Sequence, residues 1–157
     1  MENEQFPKLI FPDCGLKVRL LNGKLQVFDV VRKKFVRLLP EEWVRQHLVH
    51  FLQIQTKWPL THIAVELGLK LPTGLQKRCD VLLHGPNGQP VVLAECKAPN
   101  IALTQQAVNQ VAQYNLHFKL PYLVVTNGLA ILIYHINFET KQIESQAALP
   151  NFDSFLA

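Results

Sequence analysis

Arg78-Cys79-Asp80-Val81-Leu82-Leu83-His84, the break Gly85-Pro86-Asn87-Gly88-Gln89, and Pro90-Val91-Val92-Leu93-Ala94-Glu95-Cys96-Lys97 decide how this chain is read. Two apolar, β-branched runs on either side of a Gly/Pro/Asn turn predict an antiparallel hairpin over Lys77–His84 and Pro90–Lys97. Each run carries an acid where a buried strand has no use for one, and such a group is held there only if something binds it. Residues two apart on a strand share a face at ~6.5 Å, so Glu95 and Lys97 point the same way.

The turn decides whether Asp80 joins them. If Asn87-Gly88 is a tight two-residue turn, position 86 pairs with 89 and the ladder sets Asp80 opposite Glu95, with β-carbons ~5 Å apart. A longer turn through Pro86-Asn87-Gly88 with a glycine bulge slips the register by one and sends Asp80 to the other face. A shared site therefore requires the tight turn or a compensating bulge.

Outward from this hairpin the pattern is α/β. Pro40 suits a first helical position, with Glu41 and Glu42 at the positive end of the helix. Trp43, Val44, Leu48, Phe51 and Leu52 recur at helical spacing, which predicts a helix from Glu41 to about Lys57, stopped by Pro59. His62–Leu71 reads as a strand ahead of the hairpin. Ala107, Val108, Val111, Tyr114 and Phe118 mark a second helix over about 103–118, followed by a buried strand at Tyr122–Thr126, the turn Asn127-Gly128 and a strand at Leu129–Ile136. From Glu41 the expected order is α-β-β-β-α-β-β around a mixed sheet. Residues 137–157 form a more polar extension, with one edge strand expected around Gln142–Leu149. Before Pro40, Leu16–Leu21 and Lys24–Val31 flank Asn22-Gly23, and Phe35–Leu39 follows Arg32-Lys33-Lys34, so residues 1–39 form a β-meander arm. One domain over 1–157 is expected, with its core at 40–136.

With 157 residues, 48% hydrophobic and 18% charged, the chain can bury a core without disulfides, and disorder is excluded for most of it. A net charge of +4 and a pI near 9.1 allow a polyanionic partner without demanding one. The apolar runs are too short for a membrane span, Met1–Phe11 lacks a signal-peptide core, and three cysteines are not a disulfide framework, so a cytoplasmic protein is expected. Cys79 and Cys96 flank the two acids and alternate to the opposite face of the sheet, where they are small buried residues more readily than a thiol pair. The six histidines show no spacing for zinc, and no Ser-His-Asp pattern supports acyl transfer.

The chemistry that Asp80, Glu95 and Lys97 support is phosphodiester hydrolysis. Asp80 and Glu95 would hold Mg²⁺, or Mn²⁺, with the Cys96 backbone carbonyl as a third ligand. Lys97 would position the attacking water or stabilise developing charge. Lys77 and Arg78 precede Asp80 and fit phosphate contacts or a solvated strand end.

Asp80, fourteen intervening residues, then Glu95-Cys96-Lys97 resembles the Asp…(Asp/Glu)-x-Lys signature of restriction-endonuclease-like nucleases, whose core has the element order α-β-β-β-α-β. More closely, Pro40-Glu41-Glu42-Trp43-Val44-Arg45-Gln46, Glu95-Cys96-Lys97-Ala98-Pro99, Gln110-Val-Ala-Gln-Tyr114 and Val125-Thr126-Asn127-Gly128 resemble, in that order, the N-terminal nuclease domain of type I restriction enzyme R subunits. The resemblance covers roughly residues 30–136. It implies a metal-dependent DNA endonuclease in which Asp80 and Glu95 are metal ligands and Lys97 is the catalytic lysine. The family's first-helix acid falls on Glu41 or Glu42; helical phase sets Glu41 with Val44 and Leu48, and Glu42 with Arg45 and Val49 near the rim, which favours Glu41. Gln110 and Tyr114, on one helix face, match a motif such nucleases place beside the site. Cys79 stands where the family often has proline. No Gly-rich nucleotide loop with Lys-Ser/Thr is present, so the expectation is a stand-alone nuclease or one piece of a larger system, with DNA and other restriction subunits or a second copy as partners. The rival expectations are a non-catalytic DNA-binding or assembly module that keeps the nuclease fold, and an interaction domain that dimerises through its β-meander.

Overall fold

The structure is a computed structural model and describes residues 4–156. Asn22 and Gly23 both take positive φ (51° and 73°), as their turn requires, and join β1 (Val18–Leu21) to β2 (Lys24–Asp29), which pairs in turn with β3 (Lys34–Arg37). The expected β2 ran on to Val31. It stops at Asp29 because that carboxylate accepts the N–H groups of Val31 and Arg32, both at 2.8 Å, and folds the chain into a turn.

Helix α1 (Pro40–Gln55) begins at its proline and ends where the Thr56 hydroxyl donates to the Leu52 carbonyl at 2.6 Å, two residues short of the expected Lys57, which takes a left-handed φ of 61°. Strands β4 (Ile63–Lys70), β5 (Gln76–His84) and β6 (Pro90–Cys96), helix α2 (Gln105–Phe118), and strands β7 (Tyr122–Thr126), β8 (Ile131–Asn137) and β9 (Gln142–Gln146) follow. The helix expected from about 103 starts at Gln105 because Thr104 is its cap, accepting the Ala107 N–H at 3.1 Å.

From α1 onward the element order is the expected one. The sheet runs β4-β5-β6-β7-β8-β9, with β6 and β7 parallel across the α2 crossover and every other pair antiparallel. One face buries Val81, Leu83, Val92, Ala94 and Cys96 against Val44, Leu48 and Leu52 of α1. The other buries Leu82, Leu93, Leu123 and Val125 against Val108 and Val111 of α2. Cys79 lies in the α2 cluster and Cys96 in the α1 cluster, so the two thiols are small buried residues on opposite faces and do not form a pair. The extension folds back: β9 ends at Gln146, and Leu149 turns in to be buried. Phe152 and Phe155 set their rings edge-on to Trp58, each 5.5 Å away centre to centre. Among the described residues no helix is long and apolar enough to cross a membrane.

Candidate functional site

The β5–β6 turn takes the longer form. The Gly85 N–H donates to the Gln89 carbonyl at 2.7 Å, the Gly88 N–H to the Gly85 carbonyl at 2.9 Å, and Gly88 sits at φ 81°. Such a turn alone would misplace Asp80. The register then steps from His84↔Pro90 to Leu83↔Val92, leaving Val91 as an extra residue, and this bulge restores the pairing Val81↔Ala94. Continued one residue, this register would set Asp80 opposite Glu95. Of the two routes to a shared site, the chain uses the compensating bulge.

Strict alternation breaks at Asp80 itself. Val81 and Leu83 face α1, whereas Cys79 and Leu82 face α2, so the pleat changes phase between positions 79 and 81. On β4 the residue opposite, between the registered pairs Val65↔Val81 and Leu67↔Cys79, is Glu66, at a left-handed φ of 56°. Paired irregularities in neighbouring strands turn both acids toward α1. There the Arg45 guanidinium donates from one nitrogen to Glu66 Oε1 at 2.6 Å and to Asp80 Oδ1 at 3.1 Å. The other oxygen, Asp80 Oδ2, accepts the Cys96 N–H at 2.8 Å.

Glu95, between Ala94 and Cys96 on β6, is buried, and Asp80, Lys77, Lys97 and Glu41 all bear on its charge. Lys97 Nζ lies 3.7 Å from Glu95 Oε1 and Lys77 Nζ 4.0 Å from it. Asp80 and Glu95 are both buried, and each bears on the other's charge. Burial and then the Asp80 charge push the Glu95 carboxyl up to about 7, against the pull of Lys77 and Lys97. Burial raises Asp80 too, opposed by the Cys96 N–H and by Arg45. Glu41, at the exposed first turn of α1, is raised by burial and by the Asp80 charge, with Arg45 and Lys97 opposing. The field of Asp80 therefore reaches Glu41, Glu95 and Arg45, and that of Lys97 reaches Glu41 and Glu95.

Glu42 is not at the rim. It is 6% exposed and accepts from Arg32 at 3.0 Å, from Gln46 at 2.8 Å and from both Nε and a terminal nitrogen of Arg45. Arg32 in turn donates to Asp29 Oδ2 at 2.8 Å, which ties the N-terminal sheet to α1. Burial raises the Asp29 carboxyl, but the Arg32 and Gln46 hydrogen bonds outweigh it and leave it lowered. Tyr114 reaches the site's edge, its ring 4.7 Å under Lys77 Nζ. Gln110 is exposed on α2, and no described hydrogen bond joins it to the site. Arg78 is exposed and held by Glu66 Oε2 at 3.0 Å.

Sequence reasoning missed Glu66 and Arg45. Glu66 was open to the argument applied to Asp80 and Glu95, an acid inside the apolar run Ile63–Leu67. Arg45 carried no such signal, because only the fold shows that its helix is buried on that side too.

Asp80 and Glu95 are hard oxygen donors that repel each other in a buried place, which suits a hard divalent cation. Among the described residues no three His, Cys, Asp or Glu side chains are grouped to hold a metal. An ion here would thus rely on two carboxylates, with backbone oxygen and water completing its shell, a mode Mg²⁺ accepts.

The fold and site define a mixed-sheet α/β domain with a buried acid pair beside a lysine. The chain belongs to the family of type I restriction enzyme R protein N termini, whose model matches residues 40–150. That match leaves out the β-meander arm and includes β9. Among solved structures the chain is similar to a fragment described as an HsdR subunit of a type I restriction enzyme from Vibrio vulnificus YJ016, with 22% identity and a TM-score of 0.54 over 74% of this chain and 24% of that one. The chain thus spans about a quarter of that fragment's length. A cryo-EM DrdV–DNA complex overlaps less, with 15% identity and a TM-score of 0.41 over 64% of this chain and 10% of that one. No curated protein matches the chain.

Proposed function

We propose that this domain has the restriction-endonuclease-like core and is a Mg²⁺-dependent DNA endonuclease that hydrolyses phosphodiester bonds. One observation carries the reading: Asp80 and Glu95 are both buried, the Asp80 charge raises the Glu95 carboxyl, and Lys97 Nζ lies 3.7 Å from Glu95 Oε1. Membership of the R protein N-terminal family supports it. Asp80 and Glu95, with the Cys96 carbonyl, would hold Mg²⁺ or Mn²⁺; when bound, the ion supplies polarisation of the phosphate and acidification of a water. Lys97 would place positive charge where the attacked phosphate gains negative charge. Glu41 would orient water or accept a proton from it. Lys77 is held between Glu95 and the Tyr114 ring, and with Arg78 and Gln110 it would contact the DNA backbone.

A second reading is a non-catalytic DNA-binding or assembly module. It is favoured by Arg45, which already gives Asp80 a cation of the protein's own. Under either reading other restriction subunits or a second copy are the protein partners, and the cytoplasm is the compartment. The deciding experiment incubates the protein with supercoiled and branched DNA in Mg²⁺, in Mn²⁺ and in chelator. Cleavage that requires metal supports the nuclease. Binding without cleavage in any metal supports the module.

A further inference from the structure

The family match begins at Pro40, yet the β1–β3 sheet ahead of it has two sharply different faces. The inner face carries Val27, fully buried, and Asp29, whose carboxylate is locked by Arg32 and Gln46 and through them to Glu42 of α1. The outer face follows from the register. Lys17, Phe28 and Phe35 form one row across the sheet, Arg19, Gln26 and Arg37 the next, and Leu21 with Lys24 the last. That face has four cations, all exposed, and no acid. Among the described residues none of Lys17, Arg19, Lys24 and Arg37 has a carboxylate partner, whereas Arg32, Arg45, Lys77, Arg78 and Lys97 all do. This row of charge is uncompensated by any described carboxylate.

Arg19 is also held in place. Its guanidinium lies 3.7 Å above the centre of the Phe35 ring, and its Nε donates to Gln26 Oε1 at 2.8 Å. Stacking and one hydrogen bond fix the plane, and neither terminal nitrogen has a described partner, which suits a planar fork to phosphate with little further ordering. Phe35 in turn meets Phe28 edge-on at 5.4 Å, and Lys17 Nζ stands 5.6 Å over Phe28. Both rings are thus covered by cations, so this face offers bases no open stacking platform. Residues two apart on a strand are ~6.6 Å apart and adjacent strands ~4.8 Å apart, which gathers the four charges into one compact patch.

We propose that the outer face of the β1–β3 sheet is a DNA-backbone contact surface, with Arg19, Arg37, Lys24 and Lys17 meeting phosphates irrespective of sequence. It rests on DNA as the partner named above, not on catalysis. The Asp29–Arg32–Glu42–Arg45–Asp80 chain of ion pairs makes the surface a rigid extension of the site, so a duplex lying on one is presented to the other.

The test is equilibrium binding of the full chain to a short random-sequence duplex, in chelator so that no cleavage occurs, across a salt titration. Wild type should show a log–log salt slope of roughly −3 to −4, and Lys24→Glu with Arg37→Glu should reduce it by about 2. Neither residue makes a described side-chain contact, so the melting temperature should hold. Arg19→Lys keeps the charge but loses the planar fork, and should weaken binding with little change in slope. A single strand of the same length should gain nothing over the duplex. The proposal is overturned if the folded double variant binds duplex as wild type does, if wild type binds none, or if polyglutamate binds as tightly with the same dependence on Lys24 and Arg37, which would mark a protein-docking face. Loss of cleavage in Lys97→Ala with this binding intact separates the surface from the nuclease reading.

Discussion

Arg45 and Asp80 are joined by a 3.1 Å hydrogen-bonded ion pair across the α1–sheet boundary, with both side chains under 10% exposed. The same guanidinium holds Glu42 and Glu66, so one buried cation answers three carboxylates. Burial works against its charge, but the Glu42 hydrogen bonds and the Asp80 charge outweigh that and hold Arg45 firmly ionised. A buried charge of this kind stabilises only through its partners, and removing it leaves Asp80 without a cation and takes one donor each from Glu42 and Glu66.

Arg45→Met should therefore lower unfolding free energy by about 3–5 kcal/mol, as for one-sided loss of a buried ion pair. Urea denaturation followed by tryptophan fluorescence measures it, since Trp43 lies in this helix and Trp58 just after it. A loss under 1 kcal/mol would mean the three carboxylates simply take up protons or water at no cost. The loss should shrink at acidic pH, where those carboxylates no longer need a cation.

Glu95 gives a pH dependence with a definite sign. Its folded pKa, about 7, lies above the ordinary 4.5, so the folded state binds the extra proton. The stability that this proton brings is fully present below pH 4.5 and is lost as pH rises through 7. Without metal, the melting temperature should fall over that interval, and Glu95→Gln should remove this part of the fall. Mg²⁺ binds the deprotonated pair, so its stabilising effect should be larger at pH 8 than at pH 6. Differential scanning calorimetry with Mg²⁺ and with chelator at both pH values checks it.

Gly128 offers a steric test beside the site. It sits at φ 81° just after β7, and a β-carbon there would come within 2.6 Å of Leu9 Cδ2 and 3.2 Å of Val44 Cγ2. Gly128→Ala should cost roughly 1–3 kcal/mol from backbone strain and contact together. A chemical-denaturation midpoint equal to wild type would show that Leu9 moves aside and the left-handed backbone is tolerated.

The element order, the hairpin and the Asp80–Glu95 opposition were legible because they rest on local signals: apolar period, turn residues and acids out of place. The register was legible only as a choice, since the Val91 bulge depends on how Leu83 and Val92 pack and not on the turn that the sequence displays. The rim placement of Glu42 failed for a related reason. Helical phase gives relative faces, but the N-terminal sheet covers α1 on the side that a solvated helix would leave open, so Glu42, Arg45 and Gln46 are all buried. Arg32, in a basic turn that reads as a phosphate contact or a solvated loop, is a structural tie to Asp29 and Glu42.

Lys97 and Asp80 together separate catalysis from binding. Lys97→Ala removes a side chain whose described ion pair is with Glu95 at 3.7 Å, so folding and DNA affinity should change little. Cleavage should nevertheless be abolished, because a lysine in this role acts on the attacking water and on charge that exists chiefly in the transition state. Asp80→Asn keeps an oxygen for the Cys96 N–H but gives up the charge that Arg45 and a divalent ion would share. Its loss of cleavage should come through weaker metal binding, so high Mn²⁺ should restore a trace of activity that Lys97→Ala never regains. Nicking rate of supercoiled DNA and melting temperature, followed through a Mn²⁺ titration for wild type and both variants, give the comparison. If wild type cleaves no DNA form in any metal, and metal leaves its melting temperature unmoved, Asp80 is an internal partner of Arg45 and the module reading replaces the nuclease.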